Sequence, residues 1–405
     1  MSLQQTPSAN RLHIGILGRR NAGKSSLINA LTNQNLAIVS DHKGTTTDPV
    51  QKAMELPPLG PVVLIDTPGI DDSGELGLLR VEKTHQALRK TDFCLLVIDG
   101  REGFSKHDEN LANILTDKKI PFILVVNKTD LLDETTTPKA LAAQSLQGQK
   151  TYPQIQVSCQ NRYNIDALKA LMGEIGKQAD AEKPLVKDLI APGALVLLVT
   201  PIDEAAPKGR LILPQQQVIR ELVEHGVIVI VIKETEITHT LSQLGKAPDL
   251  VITDSQAFAV VAEQLPKEVL LTSFSILFAR FKGSLTPLIQ GASVIDSLQD
   301  GDKVLISEGC THHRQCNDIG TVKLPAWLKK HTGKELSWDF SSGTEFPASL
   351  SKYALVIHCG GCVLNEKEMK HRMKSAKEQQ VPMTNYGTAI AFMNGILARS
   401  LAVFE

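Results

Sequence analysis

The chain has 405 residues, of which 42% are apolar and 21% charged, with a formal net charge of −1; this leaves room for two or three ordinary globular domains. A pI near 6.8 and only 4% aromatic residues argue against a general nucleic-acid or acidic-membrane surface. The polar stretch Met1–Asn10 lacks the basic head and apolar run of a secretory signal, no run of about 20 apolar residues is present for a membrane span, and six cysteines are too few for a disulfide scaffold, so a cytoplasmic chain is expected, with no membrane and no nucleic acid among its partners.

Short runs rich in Val, Ile and Leu at Leu12–Leu17, Val62–Asp66, Phe93–Asp99, Phe122–Asn127 and Ile155–Ser158 predict strands of a parallel sheet covered on both faces. Helices fit between them, and Asn164–Gly176 closes this unit amphipathically. Ala181–Pro192 carries prolines and charges without a period and reads as a linker. A second unit follows, with strands Leu195–Thr200, Val227–Ile232, Leu250–Thr253 and Val269–Thr272, and helices near Pro214–Glu224 and Gln256–Gln264. Ser273–Leu285 bridges to a third, with strands Lys303–Ser307 and Ala354–His358 and helices Pro325–Thr332, Glu366–Glu378 and Thr388–Ala402. The alternation predicts α/β architecture throughout: domains 1–178, 185–272 and 276–405, the last two smaller and each with a parallel sheet.

Gly18-Arg-Arg-Asn-Ala-Gly23-Lys24-Ser25 sits between a predicted strand and a predicted helix, where the P-loop pattern must sit. Gly18, Asn21, Ala22, Gly23, Lys24, Ser25 and Ser26 are expected to hold the nucleotide phosphates. Glycines let backbone N–H groups turn inward and the helix N-terminus favours anions. Lys24 brings a charge to the β/γ-phosphates and Ser25 a hydroxyl to Mg²⁺. Asp66-Thr-Pro-Gly69 ends another strand; Asp66 can hold Mg²⁺ through water, and the Gly69 amide can sense the γ-phosphate. Asn127-Lys128-Thr-Asp130 selects the base, because a carboxylate such as Asp130 can accept from guanine N1–H and its exocyclic amine, a donor pair adenine lacks. Ser158 and Cys159 follow the next strand, where a loop can cover the guanine. The chain therefore opens with a P-loop GTPase domain that takes GTP and Mg²⁺.

This motif order resembles the translation-factor-class GTPases that include Era and TrmE. Gly44-Thr45-Thr46 fits their first switch, and the resemblance implies Thr46 as a Mg²⁺ ligand of the active state. Several members carry a P-loop asparagine that helps bind K⁺, the place of Asn21 here. Lys24, Thr46 and Asn21 are thus the expected catalytic set. Ile70 stands where Ras-like enzymes carry their water-positioning glutamine, so slow, K⁺-stimulated hydrolysis is expected, with Asp71, Asp72 or Glu75 as candidates to orient water.

Four of the six cysteines fall in the last hundred residues. Cys310-Thr-His312-His313 follows one predicted strand and His358-Cys359-Gly-Gly-Cys362 another, so both groups can meet at one edge of a parallel sheet. Thiolates select zinc or iron–sulfur clusters. Spacing leaves three readings open: a structural zinc on Cys310, Cys359, Cys362 and His312, a cluster on the three cysteines with one non-cysteine or exchangeable position, or buried cysteines without a metal.

The GTPase motifs, the α/β middle segment and Cys-x-His followed by His-Cys-x-x-Cys together resemble HydF, the family of [FeFe]-hydrogenase maturation GTPases, over essentially the whole chain. The resemblance implies a [4Fe-4S] cluster on Cys310, Cys359 and Cys362, with His312, Cys316, another group or solvent in the fourth position. It also implies a homodimerising middle domain and a scaffold role. In that role, radical-SAM hydrogenase maturases load a diiron precursor bearing CO, cyanide and a dithiolate, and the scaffold delivers it to apo-[FeFe]-hydrogenase. The family's Gly-Glu-Asp-Ile-Gly segment is Cys316-Asn317-Asp318-Ile319-Gly320 here, so a glutamate ligand is missing from that position. A ribosome- or tRNA-directed GTPase with a structural Cys₃His zinc is the alternative, although no basic appendage supports it.

Overall fold

The computed structural model describes residues 7–33, 50–66, 84, 86–132, 152–179, 183–202, 211–310, 318–343 and 345–405. Two compact units divide the chain, Met1–Glu182 and Lys183–Glu405.

The first unit is built on a six-stranded sheet. Its strands are β1 (Leu12–Leu17), β2 (Val50–Leu56), β3 (Gly60–Asp66), β4 (Phe93–Asp99), β5 (Phe122–Asn127) and β6 (Gln154–Gln156), in spatial order β2-β3-β1-β4-β5-β6. Side chains alternate between faces. Leu95 and Val97 therefore pack with Leu27, Ile28, Leu168 and Met172, from helices Lys24–Thr32 and Ile165–Ala179. Cys94, Leu96 and Ile98 pack the other way, against Leu111 and Leu115 of helix Lys106–Asp117. The sheet is not wholly parallel as expected: β2 runs antiparallel to β3, joined by the turn Pro57–Leu59. Its sequence, Val-Gln-Lys-Ala-Met-Glu-Leu, is rich in helix formers, and pairing along all seven residues of β3 overrides that propensity.

The second unit contains two four-stranded sheets, both parallel. One is formed by β7 (Leu195–Val199), β8 (Ile228–Ile232), β9 (Leu250–Thr253) and β10 (Leu270–Ser273), ordered β10-β9-β7-β8. The other has β11 (Lys303–Ser307), β12 (Ser337–Ser341), β13 (Leu355–His358) and β14 (Met383–Asn385), ordered β12-β11-β13-β14. One apolar core reaches across both, from Leu197, Val251 and Leu271 through Ile276 to Ile306, Ile357 and Ile390.

Three readings need correction here. The expected linker is docked from its middle onward: Leu185 and Val186 are buried, and the N–H groups of Leu185, Val186 and Lys187 donate to the Glu221 carboxylate at 3.0, 2.6 and 3.2 Å. The Ser273–Leu285 bridge is mostly helix, Phe274–Lys282, N-capped by Ser273. The expected helix Thr388–Ala402 is two helices, Tyr386–Met393 and Leu397–Leu401, separated at Gly395, which has φ +68°. No helix among the described residues is long and apolar enough to cross a membrane.

Candidate functional site

The P-loop leaves the carboxyl end of β1 and enters helix Lys24–Thr32. Gly23 has φ +94°, and a Cβ there would lie 2.2 Å from Asn127 Nδ2, so both backbone and space demand glycine. Lys24 Nζ donates to the carbonyls of Gly18 and Arg19, at 2.8 Å each, which fixes the ammonium in the curl of the loop. Asn21 takes φ +63°. Ala22 is buried, while Ser25 and Ser26 are exposed on the first turn of the helix, whose opening N–H groups have no intrahelical partners.

The base-selecting motif is also a brace. Asn127 Nδ2 donates to Ala22 O at 3.1 Å, and its Oδ1 accepts from the Cys159 N–H at 3.4 Å. One buried amide thus connects the phosphate loop to the loop expected over the guanine. Lys128 Nζ reaches Asn21 O at 2.6 Å and Asp99 Oδ2 at 2.7 Å. Asp130 is exposed; its Oδ1 accepts from the buried Ser158 hydroxyl, and its Oδ2 has no partner among the described residues. Burial pushes the Cys159 thiol up to about 11, so it stays protonated and structural.

Asp99 was not legible as part of this site. It lies opposite Asn127 in the β4–β5 register. Burial acts to raise its pKa, but hydrogen bonds from Arg101 and Lys128 hold it well below the usual carboxylate range. That fixed anion anchors Lys128, which in turn holds the P-loop at Asn21.

Asp66 supplies the test for a metal. Its Oδ1 is buried without a hydrogen-bond partner among the described residues. Burial raises its pKa, and the Lys24 charge opposes that rise. A buried, orphaned carboxylate oxygen beside a P-loop lysine suits a hydrated Mg²⁺ on bound GTP. The residues present fit the GTP–Mg²⁺ pair. Thr46, Gly69, Asp71, Asp72 and Glu75 lie outside the described residues.

The cysteines lie at the carboxyl ends of β11 and β13, the central neighbours of their sheet, where Ser307 and His358 are in register. The chain leaves β11 toward β12 on one side and returns as β13 on the other, so the two loops open at a topological switch point, where parallel sheets bind ligands. Cys359 donates its N–H to Ser307 O at 2.9 Å. Its Sγ accepts from the N–H groups of Gly309 (3.0 Å) and Gly361 (3.3 Å). Gly361 has φ +63°, and a Cβ there would strike Met369 Sδ at 2.7 Å. The Cys359 thiol is pushed up to about 11 by burial and by Cys362, against those two N–H donors; burial raises Cys362 too, opposed by Lys282. Among the described residues no group of three His, Cys, Asp or Glu side chains is gathered as a metal-ligand set; His312, His313 and Cys316 lie outside them.

His358 is fully buried and already engaged. Arg372 donates from Nη1 to His358 Nε2 at 2.9 Å, so Nε2 accepts, and Nδ1 must donate to Cys359 O, 2.7 Å away. Burial, then the Arg372 charge, drives its pKa down to about 3. This ring braces the cysteine backbone and is not available as a ligand. Arg372 also donates to Ser307 Oγ (3.3 Å), Gly343 O (2.7 Å) and Glu368 Oε1 (3.0 Å). Glu308, two residues before Cys310, is buried and accepts from the Tyr386 hydroxyl at 3.1 Å. Neither Arg372 nor Glu308 carries a sequence signal separating it from a surface charge.

Comparison with known proteins separates the two units. A family model described as "Hydrogen maturase F dimerization domain" matches residues 185–283, and one described as "Hydrogen maturase F tetramerization domain" matches 286–403. Together they take in more than half of the chain. The chain belongs to the hydrogen maturase F family. A third model, "50S ribosome-binding GTPase", matches residues 13–128, which contain the P-loop and Asn127-Lys128; this hydrogen maturase F chain carries a GTPase domain. The tRNA modification GTPase MnmE of Chromobacterium violaceum is 34% identical over 165 residues, 40% of this chain and 34% of the relative. GTPase Der of Wolinella succinogenes is 34% identical over 171 residues, 41% of this chain and 36% of the relative. The chain thus spans about a third of the length of these curated relatives. Among solved structures, Era of Aquifex aeolicus bound to GDP and AlF₄⁻ aligns with TM-score 0.37 and 22% identity, over 55% of this chain and 93% of that one.

Proposed function

We propose that this chain is a cytoplasmic GTPase scaffold. It carries a [4Fe-4S] cluster on Cys310, Cys359 and Cys362, receives a diiron precursor from radical-SAM hydrogenase maturases, and delivers it to apo-[FeFe]-hydrogenase. The observation that carries this reading is the pairing of cysteine loops at a sheet switch point with backbone N–H donors aimed at the Cys359 sulfur, inside the segment matched by the hydrogen maturase F tetramerization model. N–H···S bonds favour the thiolate and tune a cluster's potential, and the two donors at Cys359 Sγ support this reading. A bound cluster would supply a redox centre with one position open to a non-cysteine ligand, His312 or Cys316 being candidates. The protein's own part is to hold three sulfurs on two braced loops.

In this reading residues 185–272 act as the dimerisation domain and 276–405 as the cluster domain. The GTPase gates partner binding, because γ-phosphate contacts order switch segments that a partner surface can read. Apo-hydrogenase incubated with loaded wild-type protein should gain activity, while the same assay with Cys359→Ser should give none. Equal activation by both would remove the cluster from the mechanism. The ribosome- or tRNA-directed alternative with a structural zinc draws on relatives that match about 40% of this chain.

Asp130 reads the guanine through Oδ2. Asp130→Asn should weaken GTP binding by about tenfold to a hundredfold, as for one charged hydrogen bond of about 1.5–3 kcal/mol, and should improve xanthosine triphosphate relative to GTP. An unchanged ratio of the two nucleotides contradicts the assignment. Asn21 assists K⁺ at the phosphates. Hydrolysis should slow when Na⁺ replaces K⁺ at equal ionic strength, and equal rates in the two salts would remove that role.

A further inference from the structure

Lys282 ends helix Phe274–Lys282 and is only 2% exposed. Its ammonium donates to three backbone carbonyls, Gly361 at 2.8 Å, Cys362 at 3.0 Å and Leu364 at 2.5 Å. All three belong to the loop that carries Cys359 and Cys362. The Phe278 ring centroid lies 5.4 Å from Nζ. No carboxylate pairs with this ammonium among the described residues. The Glu366 carboxylate attracts it at longer range but is ion-paired with Lys183 and Lys370.

A buried cation without a counter-ion is costly, so such groups are normally paired. Carbonyl dipoles and one aromatic face offset part of that cost. Cys359 and Cys362 lie close enough to interact with it, and both become anionic when they ligate a metal. We propose that Lys282 is the built-in counter-cation of the thiolate centre: it clamps the Gly361–Leu364 loop and offsets the negative charge of the sulfur ligands. It is a positioning residue that acts on the centre's charge balance, and the proposal rests on the cluster reading above. Removing the charge makes the centre harder to reduce, because reduction adds negative charge that the ammonium otherwise balances.

The test uses the full chain, reconstituted anaerobically, with iron and sulfide analysis and an EPR-monitored redox titration. Lys282→Gln keeps donors toward the carbonyls and removes the charge; Lys282→Met carries the same comparison if the glutamine variant does not fold. The expected result is a reduction equilibrium at least tenfold less favourable, a shift of about 59 mV to lower potential for one electron, with Lys282→Arg restoring the wild-type potential. Loss of iron from a folded glutamine variant but not from the arginine variant also supports the proposal. Wild-type iron content and an unchanged potential in Lys282→Gln overturn it, while the cluster reading stands. Wild-type protein that forms no cluster overturns that reading, and this inference with it.

Discussion

Lys24→Ala should reduce GTP turnover by at least about 10²–10³-fold, the usual loss when one preorganised charge at a reacting centre is removed. The ammonium is held by the carbonyls of Gly18 and Arg19, and Lys128 is committed to Asp99 and the Asn21 carbonyl. No other lysine of the described site is placed to take over. The brace through Asn127 and Ala22 does not involve Lys24, so the loop should keep its fold. Cys310, Cys359 and Cys362 lie in the other compact unit, and iron content should stay at the wild-type level. Steady-state phosphate release and iron analysis on one preparation check both halves. Turnover within a factor of two of wild type would contradict the P-loop assignment.

The second large effect falls on stability. Arg372 is fully buried and Glu368, one turn before it, is 4% exposed. Arg372→Ala leaves that carboxylate, His358 Nε2 and Gly343 O without their donor at once. Breaking a buried pair by removing one partner costs about 3–5 kcal/mol, equivalent to a fall of roughly 10 °C in melting temperature for a unit of this size. Because His358 holds the Cys359 carbonyl, metal retention should fall with stability. Thermal and urea unfolding of the variant measure the first, and iron loss during gel filtration the second. A destabilisation below about 1 kcal/mol would mean that the network is solvated and is not the brace described here.

The P-loop and the Asn127-Lys128-Thr-Asp130 motif were legible because each is local in sequence. Gly18 through Ser26 form one strand–loop–helix segment, and Asn127, Lys128 and Asp130 sit at the end of one strand. Strands buried on both faces announce themselves as apolar runs, so Leu12–Leu17, Phe93–Asp99, Phe122–Asn127, Leu250–Thr253 and Lys303–Ser307 match their expected limits. Strand β2 did not, because helix-forming residues pair there only by virtue of β3. Strand β14 has three residues and β12 is a five-residue, mostly uncovered edge strand, too little for an apolar run to register. The cysteine pattern pointed to two loops at one sheet edge, but not to what braces them. Lys282 and Arg372 read as ordinary surface charges, one in Arg-Phe-Lys and one in a strongly polar helix. Their burial depends on contacts 79 and 65 residues away in sequence, Lys282 with Gly361 and Arg372 with Ser307.

In the proposed reading, three cysteines of the second unit hold an iron–sulfur cluster in a GTPase scaffold. Iron and acid-labile sulfide analysis with EPR, on protein purified and reconstituted anaerobically, tests it most directly. The expected result is about four irons and four sulfides per chain and a signal from the reduced cluster, all lost together in Cys359→Ser. One tightly bound zinc, with no sulfide and no cluster after reconstitution, would contradict it and leave a GTPase with a structural metal site.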